Sequence, residues 1–287
     1  MKNLKELSMD NNVSRLAQRL VNQKMLISPT AHTNLIKQIE TLLEQPNVPI
    51  FGEDYLDGNK FTDAVEEDST AIITVNGIIA KDVSPVEDEA LGLVDVEWIS
   101  DALSNCVADP NVKNIVLNFC SPGGETCGIE ELGRKIANID EHIKPVYGWT
   151  DKMATSAAYW LLSQCRGVGM IPSSEVGGVG VYSLVLDATE QMKQNGLSMF
   201  IASSGWAKMM GHEFRSLTDK EKSILQADSD KQHRKFKDTI LSKRPQIDEA
   251  NMEGLSYEGE EALKFGFVDV LLDDMDQYLA YITTNGK

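Results

Sequence analysis

The sequence predicts an α/β protein with a largely parallel sheet. Two observations carry this. From residue 69 onward, short β-rich runs alternate with stretches whose apolar residues recur at helical spacing. The run Asn114-Ile-Val-Leu-Asn-Phe119 is almost continuously apolar, as a strand covered on both faces would be.

The elements follow in order. Residues 1–45 read as an amphipathic helical arm interrupted at Ser28-Pro29-Thr30. Residues 46–68 are polar and broken by Pro46, Pro49, Gly52 and Gly58, as in a linker or draped arm. The expected division is therefore an arm and linker over 1–68 and a main domain over 69–287. Within that domain, 70–79 is a strand. Residues 97–107 form a helix with Trp98, Ile99, Ala102, Leu103 and Cys106 on one face, and 114–119 is the buried strand. Residues 128–139 are helical, 145–149 a strand, 154–162 helical and 168–171 a strand. Residues 178–186 fit either state, and 197–202 read as a strand. Thr218 and Glu221 form a capping box that opens a long helix, which Pro245 must end. Residues 257–265 are a short helix closed by Gly266, and 267–272 a final strand.

Composition narrows the function. Of 287 residues, 42% are hydrophobic and 25% charged, ordinary for a chain with a packed core. The net charge of −17 repels phosphate backbones and anionic lipid, which disfavours nucleic acid and membrane as partners. No window of about 18 apolar residues is present to span a bilayer. The N-terminal stretch lacks the apolar run of a secretory leader. Cys106, Cys120, Cys127 and Cys165 form no CxxC pair and no metal-ligand spacing, so reduced, mostly buried thiols in a cytoplasmic protein are expected, with no metal and no cofactor.

Three segments could carry chemistry. Ser121-Pro-Gly-Gly124 follows a strand, and its glycines let the backbone turn sharply and present N–H groups to an oxyanion. Met153-Ala-Thr-Ser-Ala-Ala-Tyr159 places Ser156 at a strand-to-helix junction among small residues that leave room for a substrate backbone. Ser203-Ser-Gly-Trp-Ala-Lys-Met-Met-Gly-His212 sets Lys208 among apolar neighbours. Burial there would favour the neutral amine that a general base requires. Taken singly, each is an ordinary turn, a close-packed helix start or a loop lysine. Of the histidines, His32 lies in the arm and His142 in a polar loop. His233 sits in a charged run that reads as a solvated helix face, and His212 is a weak rival to Lys208 as base.

In this order and spacing, the segments resemble the signal peptide peptidase A family of Ser–Lys peptidases, especially its phage head-maturation branch. The resemblance runs from about Thr70 to Leu272. It includes Ile72-Ile-Thr-Val-Asn-Gly77, the Ser-Pro-Gly-Gly turn, the Ala-Thr-Ser-Ala-Ala-Tyr helix start and Gly177-Gly-Val-Gly-Val181. It continues through Ser204-Gly-Trp-Ala-Lys208, Phe214-Arg-Ser-Leu-Thr218 and Gly259-Glu-Glu-Ala-Leu-Lys-Phe-Gly-Phe-Val-Asp269.

The resemblance implies a ClpP/crotonase-like spiral of ββα units, with the N-terminal helical extension outside it. It implies Ser156 as nucleophile and Lys208 as base, acting in cis or on a neighbouring protomer's serine in a homo-oligomeric ring. The oxyanion hole would be Gly123 or Gly124 with the N–H of Ala157, and the substrate would pair with strand edges near Gly124, Gly178 and Val179. The small residues around Ser156 suggest a small apolar residue before the scissile bond. The implied substrates are capsid or scaffold polypeptides, in a host cytoplasm or prohead. Gly178 departs from the pattern, because many relatives have there a serine that orients the lysine; a carbonyl, a water or a nearby hydroxyl such as Ser183 could substitute. That departure keeps open a catalytically weak assembly scaffold. The missing membrane anchor leaves a soluble bacterial peptidase as a further alternative.

Overall fold

The computed structural model describes residues 24–44, 62–65, 69–84, 87–88 and 91–285. Strand β1 (Lys24–Ile27) and helix α1 (Pro29–Glu44) come first, followed by β2 (Thr62–Val65), β3 (Thr70–Asn76), β4 (Ile78–Ala80) and β5 (Leu93–Asp95). Next come α2 (Val96–Ala108), β6 (Asn114–Cys120), β7 (Gly123–Glu125), α3 (Ile129–His142), β8 (Val146–Thr150), β9 (Met153–Thr155) and α4 (Ala157–Leu162). The remainder holds β10 (Val168–Met170), β11 (Glu175–Gly177), β12 (Tyr182–Ser183), α5 (Thr189–Gln194) and α6 (Asp219–Lys243). It ends with β13 (Ser256–Glu258), α7 (Gly259–Lys264), β14 (Val270–Leu271) and α8 (Met275–Asn285).

A six-stranded sheet in the order β14-β10-β8-β6-β3-β2 forms the centre. Its strands run parallel except for β2, which pairs antiparallel with β3 at the edge. Alternation along β6 explains its apolar run. Ile115, Leu117 and Phe119 join the core that includes Ile99 and Leu103 of α2 and Leu132 and Ile136 of α3. Val116 points the other way, to Tyr147 and Trp149 of β8 and to Tyr278, Leu279 and Ile282 of α8. Both faces are thus covered, as the sequence pattern requires.

Main-sheet strands hand the chain on to short strands in smaller sheets. β6 leads into β7 and then α3, and β8 leads into β9 and then α4. β9 joins the three-stranded sheet β13-β11-β9, while β7 joins the five-stranded sheet β12-β1-β7-β4-β5. This recurring hand-over places several chain turns at one end of the main sheet.

The α/β class and its parallel sheet are borne out, but several elements differ from expectation. Residues 24–27 form a strand, not part of a helix: Lys-Met-Leu-Ile is too short a run for periodicity to separate the two states, and pairing partners on both sides decide it. Residues 62–65, expected within a linker, add a strand to the main sheet. The helix expected over 154–162 starts only at Ala157, because residues 153–155 pair with β11. Residues 197–202 form no strand, and Leu197, Met199 and Phe200 are exposed. β13 takes the first residues of the helix expected at 257–265, and the final strand is shortened to β14. α5 and α8 were not anticipated. The rest of the expected arm and linker, 1–23 and 45–61, lies outside the described residues.

One ion pair fastens the last third of the chain to the sheet. Arg244, which caps α6, is buried and grips both oxygens of Asp269 at 3.2 and 2.8 Å. Asp269 Oδ2 also accepts the Val168 N–H at 2.7 Å, so the end of α6, the start of β10 and the approach to β14 meet at one carboxylate. Replacing Asp269 strands a buried guanidinium. Asp269→Ala is expected to lower stability by about 3 kcal/mol, measured by denaturant unfolding; a loss below about 1 kcal/mol would show that Arg244 finds another partner or water.

Candidate active site

Strands β6 and β8 are parallel neighbours, so they deliver their C-terminal ends side by side. The two ends are then laced together. Ser121 N–H donates to Met153 O at 2.9 Å, and Thr155 N–H donates to Ser121 O at 3.1 Å. The turn 121–124 and the junction 155–157 are thereby held against each other.

Ser156 sits at that junction with φ 58° and ψ −119°. Among the described non-glycine residues, only Ser69, Asp82 and Ser156 have positive φ. A non-glycine residue held there costs about 1–3 kcal/mol, and its surroundings must over-determine it. They do so here: Ser156 N–H donates to Gly177 O at 2.7 Å, and Ser156 O accepts from Trp160 N–H at 2.9 Å as α4 begins. A serine on a strained strand-to-helix turn presents its hydroxyl at the tip of the bend.

The glycines are dictated by close approach. A Cβ on Gly124 would lie 1.8 Å from Ile79 O. A Cβ on Gly123 would lie 2.8 Å from Ser156 Cβ and 3.0 Å from Ala157 N, and only 2.1 Å from Leu26 O. Thus Gly123, Gly124, Ser156 and Ala157 converge, as the family resemblance implied. The Gly123 N–H points to Ser121 Oγ at 3.3 Å. The Gly124 N–H faces β1, because Ser28 N–H to Pro122 O and Thr126 N–H to Lys24 O fix the alternation of the β1–β7 ladder, making Leu26 and Gly124 a hydrogen-bonded pair.

The other expected site residues sit differently. Gly178 is adjacent, with its Cβ position 3.2 Å from Ser156 N, but its backbone is already used: its N–H donates to Leu255 O and its carbonyl accepts from Gly180 N–H. The Val179 side chain is in the core, and its carbonyl accepts from His233 Nε2 at 2.9 Å. The edge that pairs with an extended strand is instead Tyr182–Ser183. His233 was expected on a solvated face. It lies on the buried side of α6 with Phe236 and Ile240, and Nε2 also meets Met252 O at 2.7 Å. The spacing of residues 233, 236, 237 and 240 carries that signal, which the charge of the run obscured. His212 and His142 are exposed, and His32 is buried in α1 beside Tyr182. Cys120 is half-buried, and burial raises the pKa of its thiol.

Lys208 is exposed in a turn, its N–H donating to Gly205 O at 3.1 Å. The burial expected from its apolar neighbours is not met within the single chain: Trp206 is itself 62% exposed, with Lys220 Nζ 3.8 Å above its ring. The turn is nonetheless anchored. Arg215 donates to Met209 O at 2.8 Å and holds both carboxylate oxygens of buried Glu221, which also closes the capping box of α6 on Thr218. Among the described residues there is no His, Cys, Asp and Glu grouping suited to a metal, and no helix long and apolar enough to cross a membrane.

Ser156, held at positive φ, thus lies against the backbone of Gly123, Gly124 and Ala157. Residues 138–281 match the sequence profile of Peptidase family S49, and the chain belongs to that family. It is 22% identical to the head-tail preconnector protein GP5 of Enterobacteria phage P21, over 93% of this chain and 57% of the relative. It is 25% identical to the capsid assembly protease C of Escherichia phage lambda, over 72% of this chain and 47% of that one. With Protease 4 of Salmonella typhi it shares 25% identity over 76% of this chain and 35% of the relative. The chain thus spans about half the length, or less, of these relatives. Among solved structures, a mutant of the 1510-N membrane-bound stomatin-specific protease aligns with TM-score 0.42 and 16% identity, over 74% of this chain and 83% of that one. The expected kinship with the signal peptide peptidase A family, phage branch included, is borne out.

The Arg215–Glu221 anchor makes a pH prediction. Hydrogen bonds from Arg215, then Thr218, hold the Glu221 carboxyl down at about 2, against an ordinary 4.5. A lowered folded-state pKa gives stability that is present above the unfolded value and lost as pH falls toward the folded one. Wild type should therefore melt higher than Glu221→Gln above about pH 4.5. The gap should close as the pH falls toward 2; a gap independent of pH would refute the assignment.

Proposed function

We propose that this chain is a serine endopeptidase with Ser156 as nucleophile and Lys208 as general base, on a ClpP/crotonase-like spiral of ββα units. The observation that carries the reading is Ser156: a serine held at positive φ beside Gly123, Gly124 and Ala157. The oxyanion hole is assigned to the N–H groups of Gly124 and Ala157. Gly124 N–H faces the groove, whereas Gly123 N–H is taken up by Ser121 Oγ, and Ala157 opens a helix whose first N–H groups have no intrahelical acceptor. The two hand-overs β6-β7-α3 and β8-β9-α4 support the spiral.

In the reaction, neutral Lys208 takes the Ser156 proton as the hydroxyl attacks a peptide carbonyl. The tetrahedral oxyanion is held by the two N–H groups. Protonated Lys208 returns the proton to the leaving amine, and water attacks the acyl-enzyme to restore Ser156.

A lysine base must be neutral, and desolvation favours that form. In the single chain Lys208 is exposed, along with Met199, Phe200 and Trp206 of the same segment. We therefore place its working environment in a homo-oligomeric ring, where a neighbour covers this apolar segment and Lys208 meets a serine across the interface. The phage relatives point to capsid or scaffold polypeptides as substrates and to a host cytoplasm or prohead as the place of action. Gly178, which has no side chain to orient the lysine, and the exposure of Lys208 favour the second reading, an assembly protein with little activity.

The test is cleavage of unfolded casein and of capsid and scaffold proteins encoded beside this chain, by purified oligomer. Ser156→Ala and Lys208→Ala should each lose activity by at least about a thousandfold, with assembly unchanged. Mixing the two inactive variants should restore part of it, because some interfaces then pair an intact serine with an intact lysine. No restoration places the dyad within one chain. No cleavage by well-folded wild type favours the assembly reading.

A further inference from the structure

The groove in which a substrate strand would lie is already filled by the chain's own backbone. β1 lies between β7 and β12, antiparallel to both. Met25 pairs with Tyr182 on one side, and Leu26 pairs with Gly124 on the other. Adjacent strands lie about 4.8 Å apart, so β7 and β12 without β1 would bound a slot one strand wide. That slot opens on Ser156.

The register is that of a bound substrate. The carbonyl oxygen of Leu26, Ser156 Cβ and Ala157 N all lie within 3.0 Å of one point, the Cβ position of Gly123. The same carbonyl faces the Gly124 N–H across the ladder. The Leu26 side chain is 1% exposed and belongs to the main core. Ser156 is left only 3% exposed, so no other polypeptide reaches it while β1 is in place. The segment is tied down beyond the slot as well. Lys24 Nζ pairs with Asp228 at 2.6 Å, Tyr182 Oη meets His32 Nδ1 at 2.7 Å, and Leu35 and Ile39 of α1 pack with Ala80, Leu91 and Leu93.

We propose that Lys24–Ile27 is an intramolecular pseudosubstrate: it occupies the peptide groove with Leu26 in the position of the residue whose carbonyl is attacked, and substrate binds only by displacing it. This rests on the peptidase reading of Ser156 and deepens it. It also sets the substrate class, an extended segment with a large aliphatic side chain before the scissile bond. That replaces the small residue suggested by the neighbours of Ser156. It further implies that the chain is closed until the strand is released.

The test uses binding, which needs neither catalytic group. A fluorescently labelled peptide Lys-Met-Leu-Ile is titrated by anisotropy against the full-length Ser156→Ala chain and against Ser156→Ala with Leu26→Pro. Proline removes the N–H that Leu26 gives to the β7 ladder. Releasing the competitor should tighten the apparent Kd at least about tenfold, since affinity scales with the open fraction. Equal affinity in two folded proteins overturns the proposal. If the proline variant loses its near-UV circular dichroism, amide hydrogen exchange on the Ser156→Ala chain reads the same question. Saturating peptide should speed exchange at the Leu26 and Ser28 amides, and unchanged exchange overturns the proposal. Tightened binding with no cleavage by the purified, assembled oligomer after Ser156 is restored to the Leu26→Pro chain would refute the peptidase reading while leaving the pseudosubstrate in place.

Discussion

The site depends on the pair of hydrogen bonds that join the ends of β6 and β8. Parallel pairing alone brings two strand ends to the same edge of a sheet. It does not set the angle between the turns that follow. The Ser121 backbone does, by donating to Met153 O and accepting from Thr155 N–H. Once those bonds form, the turn at 121–124 must pass over Ser156, and only glycine fits where it does so. Chain direction, glycine placement and the strained serine then follow from one local lacing of backbone. This also explains why the small residues cluster as they do. Ala154, Ala157 and Ala158 are fully buried beneath the turn, where larger side chains would force the two chain ends apart.

Ser156 and Lys208 are in opposite circumstances. The proposed nucleophile is buried and held by backbone bonds on both sides, whereas the proposed base lies on an exposed turn anchored by Arg215 and Glu221. A nucleophile is useful when reachable, and a lysine base when desolvated. Neither condition is met in the isolated, closed chain. The two deficits have separate remedies: removal of β1 reaches the serine, and apolar cover on the 197–210 segment desolvates the lysine. Activity that requires both is insensitive to either event alone.

The α/β class, the buried strand at 114–119, the helices at 96–108 and 129–142 and the capping box at Thr218 were legible because each rests on a local pattern that tertiary contacts reinforce. The convergence of Gly123, Gly124, Ser156 and Ala157 was legible only through the family resemblance; its physical reason is that strand-to-helix turns in a parallel sheet gather at one end. Three things were not legible. β1 is a four-residue run whose state is fixed by partners about 100 and 160 residues away, which no local periodicity encodes. The exposed segment around Phe200 is a short apolar run that reads like a strand, yet the described residues offer it no ladder. Lys208 has apolar neighbours in sequence, but sequence neighbours on a turn need not pack around it, and here Trp206 points to solvent.

The closed groove raises a question of competition. Leu26 is worth about 1.5–3 kcal/mol in buried side chain, and a substrate leucine would recover the same burial and the same ladder bonds. Exchange of one strand for another is therefore close to neutral in contacts. The difference lies in tethering. A strand joined to its own groove by Ser28 and α1 acts at an effective concentration in about the millimolar range, which a free peptide with equal contacts must exceed. Improving the substrate strand is thus a poor route to opening. A more effective one loosens the tether, at the contacts of Leu35 and Ile39 with Leu91 and Leu93, or at the Tyr182–His32 bond. All of these lie on or against α1, outside the 121–124 turn. A partner that takes the apolar face of α1 for itself would release β1 without touching Ser156, so the arm that closes the site is also the handle by which it is opened.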